Sequence, residues 1–444
     1  MKNLLKRSLG WTESLCPKCL RVIPAEIYTD AERVFMQKKC PDHGLFRTLV
    51  WSDYLLYKRF LHFARAGTAP NHFATSTWRG CPYDCGLCPE HKQRTCLAIL
   101  EITSGCNLNC PVCLASSKAE MDHEISRIEY VLKKFLIYEG KPRALQISGG
   151  EPTVRKDLVE VVQVARELGF KSIEVDTNGI ELGRNPKLAK ELADAGLRGV
   201  YLQLDSLGSM ENTCLRGAYP DLLPLKEVAI ERAKKAGLET VIAATIVKGV
   251  NDNQLWDIIK HGIRKDARGV NFQTFTASGR YPRRLFDPMK RVTIPDILRG
   301  IHEQSGGRLK TWDFMPISCQ DNRCATLTYA IVKNGKITPI SRMVDAERLL
   351  TYYSRVADFD EILSAVNEML FIRGNNNAAC CGPLLDMLKG QYFSIACHSL
   401  QDAWNFDLER VKKCCVHTLL TDGKLVPFCL HHITNLDGIS FPSV

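Results

Sequence analysis

The sequence predicts an α/β fold: a parallel sheet curled into a partial barrel of six strand–helix units, flanked by two cysteine-rich regions. Two observations carry this. Between residues 97 and about 306, short apolar runs alternate six times with amphipathic helical stretches. Nineteen cysteines fall in short-spaced groups, most of them outside that span, which marks the flanks as a different kind of structure.

The repeating units run in order. "CLAILEIT" precedes "ISRIEYVLKKFLIYEG", "ALQIS" precedes "KDLVEVVQVARELG", and "SIEVD" precedes "NPKLAKELADAG". "GVYLQLD", "ETVIAATIV" and "GVNFQTF" then lead into "LPLKEVAIERAKKAG", "NQLWDIIKHGIRKD" and "TIPDILRGIHEQSGG". In the first helix Ile125, Ile128, Val131, Leu132 and Phe135 recur on one face. Most of the helices stop at glycine, the residue that tolerates a left-handed cap. In a barrel of this kind the chemistry gathers at the C-terminal ends of the strands.

The flanks read as metal-binding. In residues 1–96, Cys16, Cys19, Cys40 and His43 offer a tetrahedral ligand set for one iron or zinc ion, as in a zinc ribbon or rubredoxin-like site. Cys81, Cys85, Cys88 and Cys96 lie within sixteen residues and match an iron–sulfur cluster. Between these groups, "LVWSDYLLYKRFLHFARAG" has helical spacing suited to core packing or, on the sharper reading, to a lipid-facing surface. In residues 307–444, Cys319, Cys324, one of the adjacent pair Cys414 and Cys415, and Cys429 make a further cluster set. "LTYAIV" with "NGK", and "VHTLLTDGKLVPFC", read as hairpins. Cys214, Cys380, Cys381 and Cys397 are expected to be ordinary buried thiols.

Composition narrows the class. Lys and Arg outnumber Asp and Glu by 59 to 49, a modest and diffuse excess with no recognisable RNA-binding module, so no nucleic-acid partner is expected. No apolar run approaches the length of a membrane span, and the N-terminus lacks the pattern of a secretory signal. Thiols in a reducing cytoplasm, held by metal instead of disulfides, account for the cysteines.

Cys106, Cys110 and Cys113 form a C-x3-C-x2-C run directly after the first barrel strand. Iron–sulfur cubes usually take four cysteines, so three leave one iron open. Gly149, Gly150 and Glu151 follow the second strand. Together these resemble the radical S-adenosylmethionine (SAM) superfamily. That resemblance implies a [4Fe–4S] cube whose open iron is chelated by SAM, and cleavage of SAM to a 5′-deoxyadenosyl radical. It implies that the glycines admit the methionyl part closely and that Glu151 holds its ammonium. Thr177 and Asn178 after the third strand, and Asp205 and Ser206 after the fourth, are implied as further cofactor contacts. Arg216 is implied to pair with the SAM carboxylate and "TIVKGVND" to run beside the adenine. Many relatives carry an aromatic just before the third cysteine; here it is Val112.

"CPYDCGLCPEHKQRTCLAILEITSGCNLNCPVC", "RVTIPDIL" and "DAWNFDLERVKKCCVH…PFC" further resemble the tetraether lipid synthase family. Members are implied to couple lipid alkyl chains through carbon–carbon bonds. They carry three [4Fe–4S] clusters and one mononuclear iron or zinc, and draw electrons from a low-potential donor, ferredoxin or flavodoxin. Peripheral membrane contact of a cytoplasmic enzyme follows from that substrate. The same family is also read as methylating a pterin precursor, which leaves a radical SAM methyltransferase of a small heterocycle as the alternative. A lipid coupler needs an apolar channel; a pterin enzyme needs a small polar pocket.

Overall fold

A computed structural model describes residues 6–64, 66–116, 121–217, 222–317, 319–343 and 392–441. The first element is an antiparallel meander of β1 (Arg7–Leu15), β2 (Val22–Asp30), β3 (Arg33–Cys40) and β4 (Gly44–Trp51). The alternating run 25–37 bends in its middle, where Ala31 and Glu32 take φ of 45° and 68°. Two successive positive φ values suit a tight hairpin turn, although neither residue advertises one in sequence. Helix α1 (Tyr54–His62) follows, its first turn closed by the Asp53 carboxylate, which accepts from Leu56 N. Its Leu56, Tyr57 and Phe60 are buried with Trp51 against Phe272, Ile297 and Phe314 of later elements. Core packing is thus the job of that stripe, with Leu55 and Leu61 alone of its aliphatics facing out.

The barrel is as expected. Strands β5 (Leu97–Thr103), β6 (Ala144–Gly149), β7 (Ile173–Thr177), β8 (Gly199–Gln203), β9 (Glu239–Ile246) and β10 (Gly269–Thr274) lie side by side, parallel and in chain order. Helices α2 (Ile125–Glu139), α3 (Leu158–Glu167), α4 (Ile180–Arg184), α5 (Leu188–Ala195), α6 (Ser209–Arg216), α7 (Leu222–Lys235), α8 (Leu255–Arg264) and α9 (Ile294–Gln304) connect and cover them. Helix α2 buries Ile128, Val131, Leu132 and Phe135 and ends at Gly140 in the left-handed region.

The described strands of the C-terminal stretch join the barrel sheet. That stretch contributes β11 (Met315–Pro316), β12 (Ala325–Lys333), β13 (Lys336–Pro339), β14 (Tyr392–His398), helix α10 (Leu408–Val411), β15 (Val416–Leu419), β16 (Leu425–Pro427) and helix α11 (Phe428–His432). Strand β14 pairs in parallel with β10, and β15 in parallel with β5, so residues far beyond the barrel extend both of its edges. Both expected hairpins form, β12–β13 across Asn334 and Gly335, and β15–β16. The meander docks on this stretch through Lys38, wholly buried, whose Nζ donates to Ser14 Oγ, Ala403 O and Trp404 O at 2.7–2.8 Å. Cys397 is buried in the core as expected, Cys214 is only partly buried on α6, and Cys380 and Cys381 lie outside the described residues. Among the described residues no helix is long and apolar enough to cross a membrane.

Candidate active site and metal centres

The loop carrying Cys106, Cys110 and Cys113 leaves β5 and is pinned on every side. Gly150 N and Glu151 N donate to Thr103 O and Gly105 O, both at 2.8 Å. A Cβ on Gly149 would stand 2.3 Å from Thr103 O, and one on Gly150 2.2 Å from Gly105 O. The glycines therefore admit the cysteine loop itself, and both also line the cavity, where the expected methionyl contact would be made. Asn178 Nδ2 donates to Asn107 Oδ1 at 2.8 Å, and Cys113 exchanges backbone bonds of 2.9 Å with Arg280. Arg280 Nε also donates to Cys110 O at 2.8 Å.

Glu151 is the hub beneath this loop. It is buried, and its Oε1 accepts from Thr153 Oγ1 (2.5 Å) and Thr177 Oγ1 (2.6 Å), its Oε2 from Asn178 N (2.7 Å). Burial raises its pKa, though these donors pull it back. Thr177 thus serves Glu151 directly and the cavity wall only in part.

Arg216 is paired within the chain. Its guanidinium forks onto Asp205, Nε to Oδ2 at 2.6 Å and Nη2 to Oδ1 at 2.9 Å, while Nη1 donates to Val112 O at 2.9 Å. The same guanidinium lines the cavity, the side from which the expected contact with the SAM carboxylate would be made. Asp205 and Ser206 sit behind the cavity wall, Ser206 Oγ bonded to Gln254 Oε1 at 2.8 Å. Val112 packs with Leu215, Val247 and Phe275, and the "TIVKGVND" segment adds Val250 to that patch. Phe275 lines the cavity beside Val112.

The other thiols regroup. Cys16, Cys19, Cys40 and His43 converge as expected. Cys19 and Cys40 sulfurs lie 3.9 Å apart, with His43 Nδ1 3.4 Å from Cys40 and 3.7 Å from Cys16. Thiolates at 2.3 Å from one tetrahedral ion lie about 3.8 Å apart, so the set fits a single zinc-sized ion. Cys96 does not join Cys81, Cys85 and Cys88. It stands with Cys319 and Cys415, whose sulfurs are 3.5 Å apart. Cys324, Cys414 and Cys429 instead face the central cavity together, and Arg410 Nη2 donates to Cys324 Sγ at 3.3 Å. Cys414 is also an electrostatic neighbour of Cys85. The adjacent cysteines 414 and 415 therefore serve two different groups, where one of them was expected to suffice.

With this geometry in place, comparison with known proteins is specific. Residues 8–52 match the HMPTM N-terminal zinc ribbon domain and residues 100–262 the radical SAM superfamily. The chain is 34% identical to a protein of Methanocaldococcus jannaschii named 7,8-dihydro-6-hydroxymethylpterin dimethyltransferase, over 95% of this chain and 93% of that one. The chain belongs to that radical SAM family. It is thus a radical SAM enzyme, in a superfamily that uses SAM and a [4Fe–4S] cluster, with a zinc ribbon suited to a metal ion. A probable GTP 3′,8-cyclase of Pyrococcus abyssi is 31% identical over 36% of this chain and 51% of its own. Among solved structures, SuiB of Streptococcus suis overlaps 49% of this chain and 46% of its own at a TM-score of 0.40 and 19% identity.

Beneath the radical SAM loop the barrel encloses a cavity of about 450 Å³. Its wall is built from alternate strand residues: Gln146 and Ser148, Glu174 and Asp176, Tyr201 and Gln203, Asn271 and Gln273, with His398 from β14. These polar groups are wired together. Gln146 Nε2 donates to Glu174 at 2.8 Å, Ser148 Oγ to Asp176 at 3.2 Å, and Gln273 Nε2 to Tyr201 Oη at 3.0 Å. His398 Nδ1 lies 2.8 Å from Asn271 Oδ1. Burial, then the Glu151 charge, pushes Asp176 up to about 7, and burial pushes His398 down to about 4. Sequence reasoning passed over these residues. The signal was present as one polar residue in every second position of otherwise apolar strands, as in "ALQIS", "SIEVD" and "GVNFQTF".

Proposed function

We propose that this radical SAM enzyme methylates a small polar heterocycle of the pterin class. The observation that carries the reading is a belt of hydrogen-bonding side chains on β6, β7, β8, β10 and β14, inside a cavity that Leu97, Ile99, Val241, Ala243 and Phe428 otherwise line with apolar surface. Carboxyl, amide, hydroxyl and imidazole groups from successive strands line it, which suits a nitrogen-rich ring with donors and acceptors along its edges. An alkyl chain in the same place would use none of the donors and acceptors that these groups keep free beyond the bonds among themselves. The lipid coupling that the tetraether synthase resemblance puts first would draw on the apolar part of this wall alone and leave its polar belt without a role. The name borne by the Methanocaldococcus jannaschii relative agrees with the pterin reading.

When bound, the cube and SAM supply a 5′-deoxyadenosyl radical able to abstract hydrogen from an unactivated carbon. Cys106, Cys110 and Cys113 hold that cube, and Asn178 and Arg280 fix the loop that carries them. Glu151 and its donors shape the methionyl end, and Phe275 with Val250 offers an apolar face for adenine. Asp176, poised near neutrality, holds or releases a proton at the substrate's edge. Of the nine thiols in the three further groups (Cys81, Cys85 and Cys88; Cys96, Cys319 and Cys415; Cys324, Cys414 and Cys429), eight would serve two auxiliary [4Fe–4S] clusters, Cys414 completing the first group beside Cys85, with electrons arriving from ferredoxin or flavodoxin. Peripheral membrane contact belongs to the lipid reading alone.

The test is to incubate the reduced, cluster-loaded enzyme with SAM and either a hydroxymethyl dihydropterin or a branched-chain phospholipid. Methylated pterin with 5′-deoxyadenosine is expected. Tail-to-tail coupled lipid, with no pterin turnover, would overturn the proposal.

A further inference from the structure

We propose that Glu101, His431 and His432 form a divalent-cation site, separate from every thiol group, that opens into the barrel cavity. Glu101 lies on β5, the strand that leads into the cysteine loop; the two histidines end α11, just after Cys429. Both imidazoles turn to one carboxylate. His432 Nε2 lies 2.8 Å from Glu101 Oε1 and His431 Nε2 3.5 Å from Oε2, and all three groups can bring a ligand atom within 4.8 Å of the others. Neighbouring residues on a helix ordinarily point about 100° apart, so their convergence needs a common partner.

Three further observations point to a cation. The ligand set is two imidazoles and one carboxylate, which first-row divalent ions take with one or more positions left open. Glu101 and His432 both line the cavity, so the open position faces the substrate space. The cavity wall is also short of positive charge. Among the described residues it carries four carboxyls (Glu101, Glu151, Glu174, Asp176) against two guanidiniums (Arg216, Arg410), and Arg216 is already spent on Asp205. Buried carboxylates are normally paired or bound to metal.

Zinc or iron(II) suits this ligand set. Placed there, the ion is a fixed Lewis acid that holds a heteroatom of the substrate beneath the radical SAM loop. That last clause rests on the heterocycle reading, whereas the metal site does not.

The experiment counts metal and not turnover. Cluster-loaded protein is equilibrated anaerobically with Zn(II), desalted, and analysed for zinc, iron and sulfide by mass spectrometry and colorimetry. The Cys19→Ser protein, which lacks a complete ribbon site, is expected to keep one zinc. The double variants Cys19→Ser/Glu101→Gln and Cys19→Ser/His432→Gln are expected to lose it with iron and sulfide unchanged. A Cys19→Ser protein without zinc, or a zinc that survives Glu101→Gln, overturns the site. Should the double variants fail to accumulate, the single variants Glu101→Gln and His432→Gln, each expected to hold one zinc fewer than the parent protein, separate the two outcomes. Whatever the pterin and lipid assays return, this result stands apart from them.

Discussion

At the scale of single residues, the site depends on groups that support the cysteine loop from below. Glu151 accepts from two threonine hydroxyls and the Asn178 amide. In Glu151→Gln one oxygen becomes a donor and faces donors, so a cost of about 1–3 kcal/mol is expected. The urea midpoint of the cluster-loaded protein reads it; an unmoved midpoint would reduce Glu151 to a turn residue. Asp176 adds a pH dependence. Its folded pKa of about 7 lies above the ordinary 3.8, so the folded state binds its proton more tightly than the unfolded one. Its contribution to stability is present below about pH 4 and is lost as pH rises towards 7, by up to a few kcal/mol. Asp176→Asn should flatten the stability profile between pH 5 and pH 7. Equal slopes in both proteins would show that Asp176 ionises normally.

At the scale of elements, the ties between barrel and C-terminal stretch are buried and charged. Arg291, just before α9, donates to both oxygens of Asp402 at 2.7 and 3.1 Å, and Asp402 Oδ2 also accepts from Ala277 N after β10. Arg291→Met leaves a buried carboxylate unpaired and should cost about 3–5 kcal/mol, measured by denaturant unfolding. The regrouped thiols make a second prediction. Cys96→Ala and Cys319→Ala remove ligands from one group, so the double variant should lose no more iron than either single. Cys81→Ala combined with Cys96→Ala should lose more iron than either alone. Additive loss for Cys96 with Cys319 would restore the grouping expected from sequence proximity.

At the scale of the whole molecule, the zinc ribbon and the barrel are one mechanical unit. Ala25, Ile27, Val34, Met36 and Trp51 share an apolar cluster with Ile242, Phe272 and Ile297. Loss of the ribbon metal in Cys19→Ser should therefore lower a single cooperative transition. Tryptophan fluorescence and the cluster absorbance should move together during unfolding. A separate early transition in fluorescence, with the cluster intact, would mean that the ribbon folds by itself.

The sequence by itself determined what depends on short-range pattern. Hydrophobic period specified six strand–helix units, as at Ile128, Val131, Leu132 and Phe135. Local spacing placed Cys106, Cys110 and Cys113 after β5, Gly149 to Glu151 at the end of β6, and Cys16, Cys19, Cys40 and His43 in one ribbon. Tertiary structure decided what depends on partners distant in the chain. Strand β15 pairs with β5 in the register Val416 to Leu97, so the residues just before them, Cys415 and Cys96, are brought side by side, and Cys96 N donates to Cys415 O at 2.8 Å. No spacing rule links positions 319 residues apart. The same pairing brings α11 over Glu101, and the curl of the sheet turns every second strand residue inward, so that Gln146, Glu174, Asp176 and Asn271 meet in one cavity with Ile99 and Val241. Arg216 pairs with Asp205 because the fold buries both together beside the cavity, where a buried carboxylate requires a charged partner.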